Sequence, residues 1–170
     1  MELIVLCVGR LRPYYREACD DYLRRLGKHV KVREAEVREA SRAPTAEAQR
    51  EEEAERLRGR LPQGSTVVAL ARGGSGWSSE EVAAGLERWR TEARTVALVI
   101  GGSRGLGSSL LTAAAARWSL GPLTLPHELA RVVVVEQLYR GMTILRGEPY
   151  HKGGPAGHKS QGVGRRTRHP

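Results

Sequence analysis

Apolar residues recur along the chain in two rhythms. Glu2 to Gly9 (ELIVLCVG), Ser65 to Ala71 (STVVALA) and Thr95 to Ile100 (TVALVI) are short apolar runs with the length of buried strands. Val30 to Val37 (VKVREAEV) alternates, which suits a strand with one polar face. Between these runs the spacing turns helical. Pro13 opens a stretch with Tyr15, Ala18, Cys19, Tyr22, Leu23 and Leu26 on one face, and Gly27 stops it. Thr45 is placed to cap a charged helix reaching about Arg60, most of which is expected to face solvent. Ser78 and Glu81 form a capping box for a helix through Val82, Leu86 and Trp89, and Ser108 to Ala116 reads as an Ala-rich helix. Trp118 to Leu125 (WSLGPLTL) reads as extended. Glu128 to Leu145 contains VVVV, which favours a strand, yet Leu129, Val132, Val133, Glu136, Tyr139 and Arg140 recur at helical spacing, so a helix is predicted.

Repeated strand and helix units imply an α/β domain with a mostly parallel sheet. Ligands of such sheets bind in loops beyond the carboxyl ends of the strands. Three Gly-containing loops qualify: Arg72 to Gly76, Gly101 to Gly107, and Leu120 to His127.

A length of 170 residues and 40% hydrophobic content allow one domain with a full core, built without any Phe. No apolar run approaches the roughly 20 residues of a membrane span, and MELIVLCVGR lacks the basic start of a signal peptide, so a cytoplasmic protein is expected. Cys7 and Cys19 support neither a disulfide framework nor a zinc site, and no metal is expected. The net charge of +9 favours a polyanionic partner, because each neutralised phosphate releases counterions. Residues 153–170 form a basic, Gly-rich tail that is expected to be disordered in isolation.

The stretch ALVIGGSRGLG (Ala97 to Gly107) resembles the phosphate-binding turn of a short-chain dehydrogenase. Context opposes that reading. The motif follows about four strands instead of the first, and the residues after Gly107 are too few for the rest of a dinucleotide-binding sheet. None of Tyr14, Tyr15, Tyr22, Tyr139 or Tyr150 has a Lys four residues later, as those enzymes require.

The order VALVIGGSRGL, then WSLGPLTLPHELARVVVVEQLYRGMTILRGEPYHK, resembles the RlmH family of SPOUT-class methyltransferases, and YLRRL and LERW extend the likeness toward the N-terminus. The resemblance spans nearly all of residues 1–152. It implies an α/β fold with a C-terminal deep trefoil knot, an exception to the rule against threaded chains. It also implies a homodimer that uses S-adenosylmethionine to methylate N-3 of a pseudouridine in 23S ribosomal RNA, on the ribosome. Transferred by position, the cofactor pocket comprises Leu70, Gly101, Gly102, Gly121, Pro122, Leu123, Thr124, Leu125 and Pro126. Catalytic candidates are Glu136, Arg140, Tyr150 and His151, with His151 as proton acceptor because imidazole titrates near neutrality. His127, Arg131 and Lys152 are assigned to RNA. From spacing alone, Glu136 and Arg140 are equally a surface helix pair. Gly102→Leu is expected to block the cofactor and leave the fold intact. Arg104 departs from the acidic residue that family members commonly carry after IGG. Two other readings remain open: a non-catalytic RNA-binding protein of the same fold, and a knotted methyltransferase with another RNA target.

Overall fold

The computed structural model of the protein describes residues 1–150. Five strands, β1 (Glu2–Val8), β2 (Lys31–Val37), β3 (Thr66–Gly76), β4 (Thr95–Ile100) and β5 (Ala116–Ser119), alternate with five helices, α1 (Pro13–Leu26), α2 (Ala46–Arg58), α3 (Ser79–Thr91), α4 (Ser108–Ala113) and α5 (His127–Leu145). The strands form one sheet in the order β2-β1-β4-β3-β5, and every pairing is parallel.

β1 and β4 are unbroken apolar runs because helices cover both faces of the sheet. Leu3, Val5 and Cys7 point to one face, where they join Leu26 of α1, Leu86 and Trp89 of α3, and Val134 and Leu138 of α5. Ile4, Leu6 and Val8 point to the other, against Ala54 and Leu57 of α2 and Leu110 of α4. The VVVV segment is helical here because burial of Val134, Val135 and Leu138 outweighs a propensity that is weak by comparison. Both thiols are buried and free. Burial, reinforced by the neighbouring Glu34 carboxylate, pushes the Cys19 thiol up to about 12, and burial pushes Cys7 upward as well, so neither is a poised nucleophile.

The caps form as expected. Thr45 Oγ1 accepts from the Ala48 amide at 3.0 Å, Ser78 Oγ accepts from the Glu81 amide at 3.1 Å, and Glu81 accepts from the Ser78 amide at 2.7 Å. Two expectations need correction. RGGSG is not a free loop: β3 runs on to Gly76, and its register with β5 shifts between Leu70 and Ser75. Gly74 permits this, since a Cβ there would stand 2.5 Å from the Arg117 carbonyl oxygen. α4 ends at Ala113 because Ala116 is drawn into β5 beside Val68, and of the stretch Trp118–Leu125 only Trp118 and Ser119 are strand. Most of α2 faces solvent, as expected, while Glu53, Ala54 and Leu57 are buried.

α5 crosses α3 at Gly141, where an added Cβ would come within 2.7 Å of Leu86 Cδ1 and 3.3 Å of the Ala83 nitrogen. Gly141→Val therefore overpacks that crossing and should lower unfolding stability by about 1–3 kcal/mol. Urea denaturation measures this, and an unchanged midpoint would show that the two helices are not in such close contact.

Candidate functional site

A cavity of about 610 Å³ opens at the carboxyl end of the sheet. Its walls come from Leu70, Ala71 and Arg72 at the bend of β3, from the Ile100 to Gly105 turn after β4, and from Trp118 to Gly121 and Leu123 to Pro126 after β5. His127 and Ala130, in the first turn of α5, close the last side. The β4 turn is very tight: a Cβ on Gly101 would lie 2.5 Å from the Gly105 carbonyl carbon. Only glycine can hold the backbone in that position, which explains the GGSRG spacing. The Gly121 amide donates to Ser119 Oγ at 3.2 Å and fixes the corner after β5. Beyond it, the amides of Leu123, Thr124 and Leu125 make no backbone hydrogen bond among the described residues, and Leu123 projects its side chain with 73% exposure. Free main-chain donors beside an uncovered apolar side chain suit a planar ligand with a hydrogen-bonding edge.

Buried charge holds these walls in place. Arg131 of α5 is 1% exposed, and its guanidinium donates to Glu36 Oε1 at 2.6 Å and to the Gly9 carbonyl at 2.9 Å. One turn earlier, Glu128 accepts from the Arg12 amide at 2.7 Å and from Arg12 Nε at 2.9 Å. Burial raises the Glu128 carboxyl, but these bonds and the Arg12 charge outweigh it and hold the group below its ordinary value. Beneath the β4 turn, Glu53 accepts from the Ala40 amide at 2.9 Å and from Gln49 Nε2 at 3.0 Å.

A second cluster lies further along α5. Glu136 accepts from Arg140 Nε at 2.9 Å and from the Tyr150 hydroxyl at 3.0 Å, and the Arg140 guanidinium sits 4.9 Å from the centre of the Tyr150 ring. Gln137 Nε2 donates to the other Glu136 oxygen at 2.6 Å, while Ser79 Oγ lies 2.7 Å from Gln137 Oε1. The Glu136 contact holds Arg140 above its ordinary value and therefore charged. Burial first, then hydrogen bonding to Tyr22 and Glu136 and the charge on Glu136, pushes the Tyr150 hydroxyl upward. Tyr150 is therefore a neutral donor at physiological pH.

Of the residues transferred from the resemblance, Leu70, Gly101, Gly102, Gly121, Leu123, Thr124, Leu125, Pro126 and His127 all line the cavity. Pro122 is exposed and does not. Glu136, Arg140 and Tyr150 come together with one another, though not with the cavity. At about 1.5 Å per residue, Glu136 and Arg140 lie roughly 13 and 20 Å along the helix from His127. The assignment of Arg131 to RNA is corrected, since its guanidinium is enclosed and engaged with Glu36 and Gly9. Gly102→Leu is also not a clean probe, because a Cβ there already meets Val8 Cγ1 at 3.0 Å and Glu53 Oε2 at 3.6 Å in the core. His151 and Lys152 lie outside the described residues. Sequence reasoning missed Arg72, Trp118, Leu120 and Ala130. The three loops that carry or adjoin them were visible in the Gly spacing, whereas Ala130 reaches the cavity only through the seating of α5. Among the described residues no three His, Cys, Asp or Glu side chains gather as metal ligands, and no helix is long and apolar enough to cross a membrane.

Comparison with known proteins places this geometry in a family. Residues 1–151 match the family model described as "Predicted SPOUT methyltransferase". The protein named Ribosomal RNA large subunit methyltransferase H of Anaeromyxobacter sp. (strain Fw109-5) is 50% identical over 154 residues, covering 89% of this chain and 100% of that protein. Its namesake from Azotobacter vinelandii (strain DJ) is 41% identical over 155 residues, again covering 89% of this chain and 100% of that protein. Among solved structures, a probable methyltransferase from Bordetella pertussis Tohama I superposes with a TM-score of 0.52 at 16% identity, covering 82% of this chain and 95% of that one. A probable methylase family protein from Haemophilus influenzae Rd KW20 gives 0.51 at 14% identity, covering 92% of this chain and 72% of that one. At those identities the structural likeness speaks to the fold alone. The family match across residues 1–151, with relatives at 50% and 41% identity, makes this chain a member of the SPOUT methyltransferase family.

Proposed function

We propose that the protein is an S-adenosylmethionine-dependent methyltransferase of large-subunit (23S) ribosomal RNA that modifies N-3 of a pseudouridine in the cytoplasm. One observation carries the reading: three strand-end loops build a cavity of about 610 Å³ in a chain 50% identical to a protein named for that activity. The volume falls within the range of about 300–1,000 Å³ typical of small-molecule sites. The residues present fit the cofactor. The amides of Leu123 to Leu125 offer an edge for adenine, and Leu70, Leu120 and Leu123 offer apolar cover for its faces. Family membership also supports a trefoil knot in the C-terminal part of a domain spanning residues 1–152.

The cofactor supplies a methyl group on a sulfonium that is already a good leaving group. What remains for the protein is alignment, exclusion of water and management of the N-3 proton. Arg140, kept charged by Glu136, is suited to stabilise negative charge on the ring oxygens as that proton leaves. Tyr150 is suited to donate a hydrogen bond, and His151 is assigned as proton acceptor.

Within one chain Arg140 is too far from the cavity to do this, so we assign it to the cavity of a second copy in a homodimer. α5 favours that arrangement. Besides its buried face it carries half-buried Leu129 and Val133, which join neither hydrophobic cluster of the described residues and offer apolar surface to a partner. Beside it the stacked Trp77 and Trp118 rings, 5.2 Å apart, border a groove with Leu120 and Val133 that is open to a partner helix.

Two measurements test the reading. Ala130→Trp places a large ring in the cavity wall and should weaken S-adenosylmethionine binding by at least about tenfold in calorimetric titration, with an unchanged thermal midpoint. Unaltered affinity would remove the ligand from this cavity. In a two-fold dimer with shared sites, Ala130→Trp and Arg140→Ala should each be inactive alone, yet recover about a quarter of wild-type activity after mixing and subunit exchange. Mixed samples as inactive as the parents would show that each site is completed by its own chain.

A further inference from the structure

Most cations on the described surface are neutralised locally. Arg16, Arg24, Arg25, Arg56, Arg58, Arg90 and Arg94 each sit within salt-bridge distance of a carboxylate, as do Lys31 and Arg33. The loops at the carboxyl edge of the sheet break this pattern. Arg10 follows β1, Arg38 and Arg42 follow β2, Arg72 lies at the bend of β3, and Arg104 follows β4. All five are exposed, and none pairs with a carboxylate among the described residues. The other cations without a carboxylate, Lys28, Arg50, Arg60, Arg88 and Arg117, are scattered over helices, β5 and the opposite edge.

Topology puts the five in a row. The strand order β2-β1-β4-β3 places Arg38 and Arg42, then Arg10, then Arg104, then Arg72 along one edge. Neighbouring strands lie about 4.8 Å apart, so the row spans roughly 15 Å at the level of the backbone. Its far end is the cavity, since Arg72 and Arg104 belong to the cavity wall. The loops are joined to one another: Ser103 Oγ donates to Glu39 at 3.0 Å, linking the β4 and β2 turns, and an added Cβ on Gly9 would lie 3.9 Å from His127 Nε2. The acidic groups at this edge are already engaged, Glu39 with Ser103, Glu36 with Arg16 and Arg131, and Glu128 with Arg12.

We propose that Arg38, Arg42, Arg10, Arg104 and Arg72 form a phosphate-tracking row that docks the RNA backbone along the carboxyl edge of the sheet and leads the strand into the cavity mouth. The proposal rests on the RNA-methyltransferase reading and adds the surface that reading lacks. Arginine suits the role because its planar fork pairs with phosphate oxygens and remains charged. Such contacts position the RNA and carry no sequence information, so target choice falls to the cavity and to the dimer partner. Arg104, exposed in the turn after β4 and part of the cavity wall, joins the row to the cavity mouth.

The test is fluorescence-anisotropy titration of the full chain with a labelled single-stranded RNA 20-mer over a series of potassium chloride concentrations. Arg38→Ala, Arg42→Ala and Arg10→Ala should each reduce the log–log salt slope by about 0.7 and leave S-adenosylmethionine affinity unchanged. Lys28→Ala and Arg60→Ala, on the opposite edge, should leave the slope unchanged. Equal losses at both edges would overturn the row in favour of diffuse attraction. Unchanged slopes in the three row variants would also overturn it, as would loss of binding to anionic phospholipid vesicles while RNA binding persists. The underlying reading fails separately, through absence of methyl transfer by the unaltered protein.

Discussion

The site depends on a single guanidinium placed where charge is expensive. Arg131 enters the protein from α5 and is held by Glu36 at the end of β2 and by the Gly9 carbonyl just past β1, with Glu34 3.6 Å away. Breaking a buried pair by removing one member costs about 3–5 kcal/mol, and here toward the lower end because Glu36 is partly solvated. The same contact fixes the rotation and height of α5 over the sheet edge. That position brings His127 and Ala130 into the cavity wall and turns Glu136 and Arg140 along the opposite reach of the helix. A residue that reads as a ligand for RNA instead sets where every ligand can sit.

Parallel topology accounts for the rest of the site. All five strands end at one edge, so every loop that can approach a ligand lies together, and the tight glycine contacts at Gly101 and Gly74 let three of those loops close on one volume. The wall so formed is largely main chain and apolar side chains, suited to holding a nucleoside; its ionisable side chains are Arg72, Arg104 and His127, and it holds no carboxylate. The proposed catalytic pair, Glu136 and Arg140, is on α5, some 13–20 Å along the helix from His127. The proposed dimer would reconcile the separation and give half-buried Val133 of α5 a surface to pack against.

Much of the fold was readable from local pattern. β1, β4, both ends of α1, the Thr45 cap and the Ser78–Glu81 capping box rest on short-range chemistry, and the structure reproduces them. RGGSG was misread because its extended form depends on pairing with β5, more than forty positions further along the chain. Arg131 was misread for the same kind of reason: its partners on β2 are distant in sequence, and helical spacing shows only that it shares an element with Glu128 and Val135. The cavity residues were found through the family resemblance and the glycine spacing. The distance between cavity and Glu136 cluster is a property of helix length and packing, and no motif announces it.

The most direct measurement is methylation of purified large ribosomal subunits with isotope-labelled S-adenosylmethionine, followed by digestion to nucleosides and mass spectrometry. The account predicts one labelled methyl group per 23S RNA, carried on N-3 of a pseudouridine. Label on a different nucleoside, or no label from protein that binds the cofactor, would contradict it.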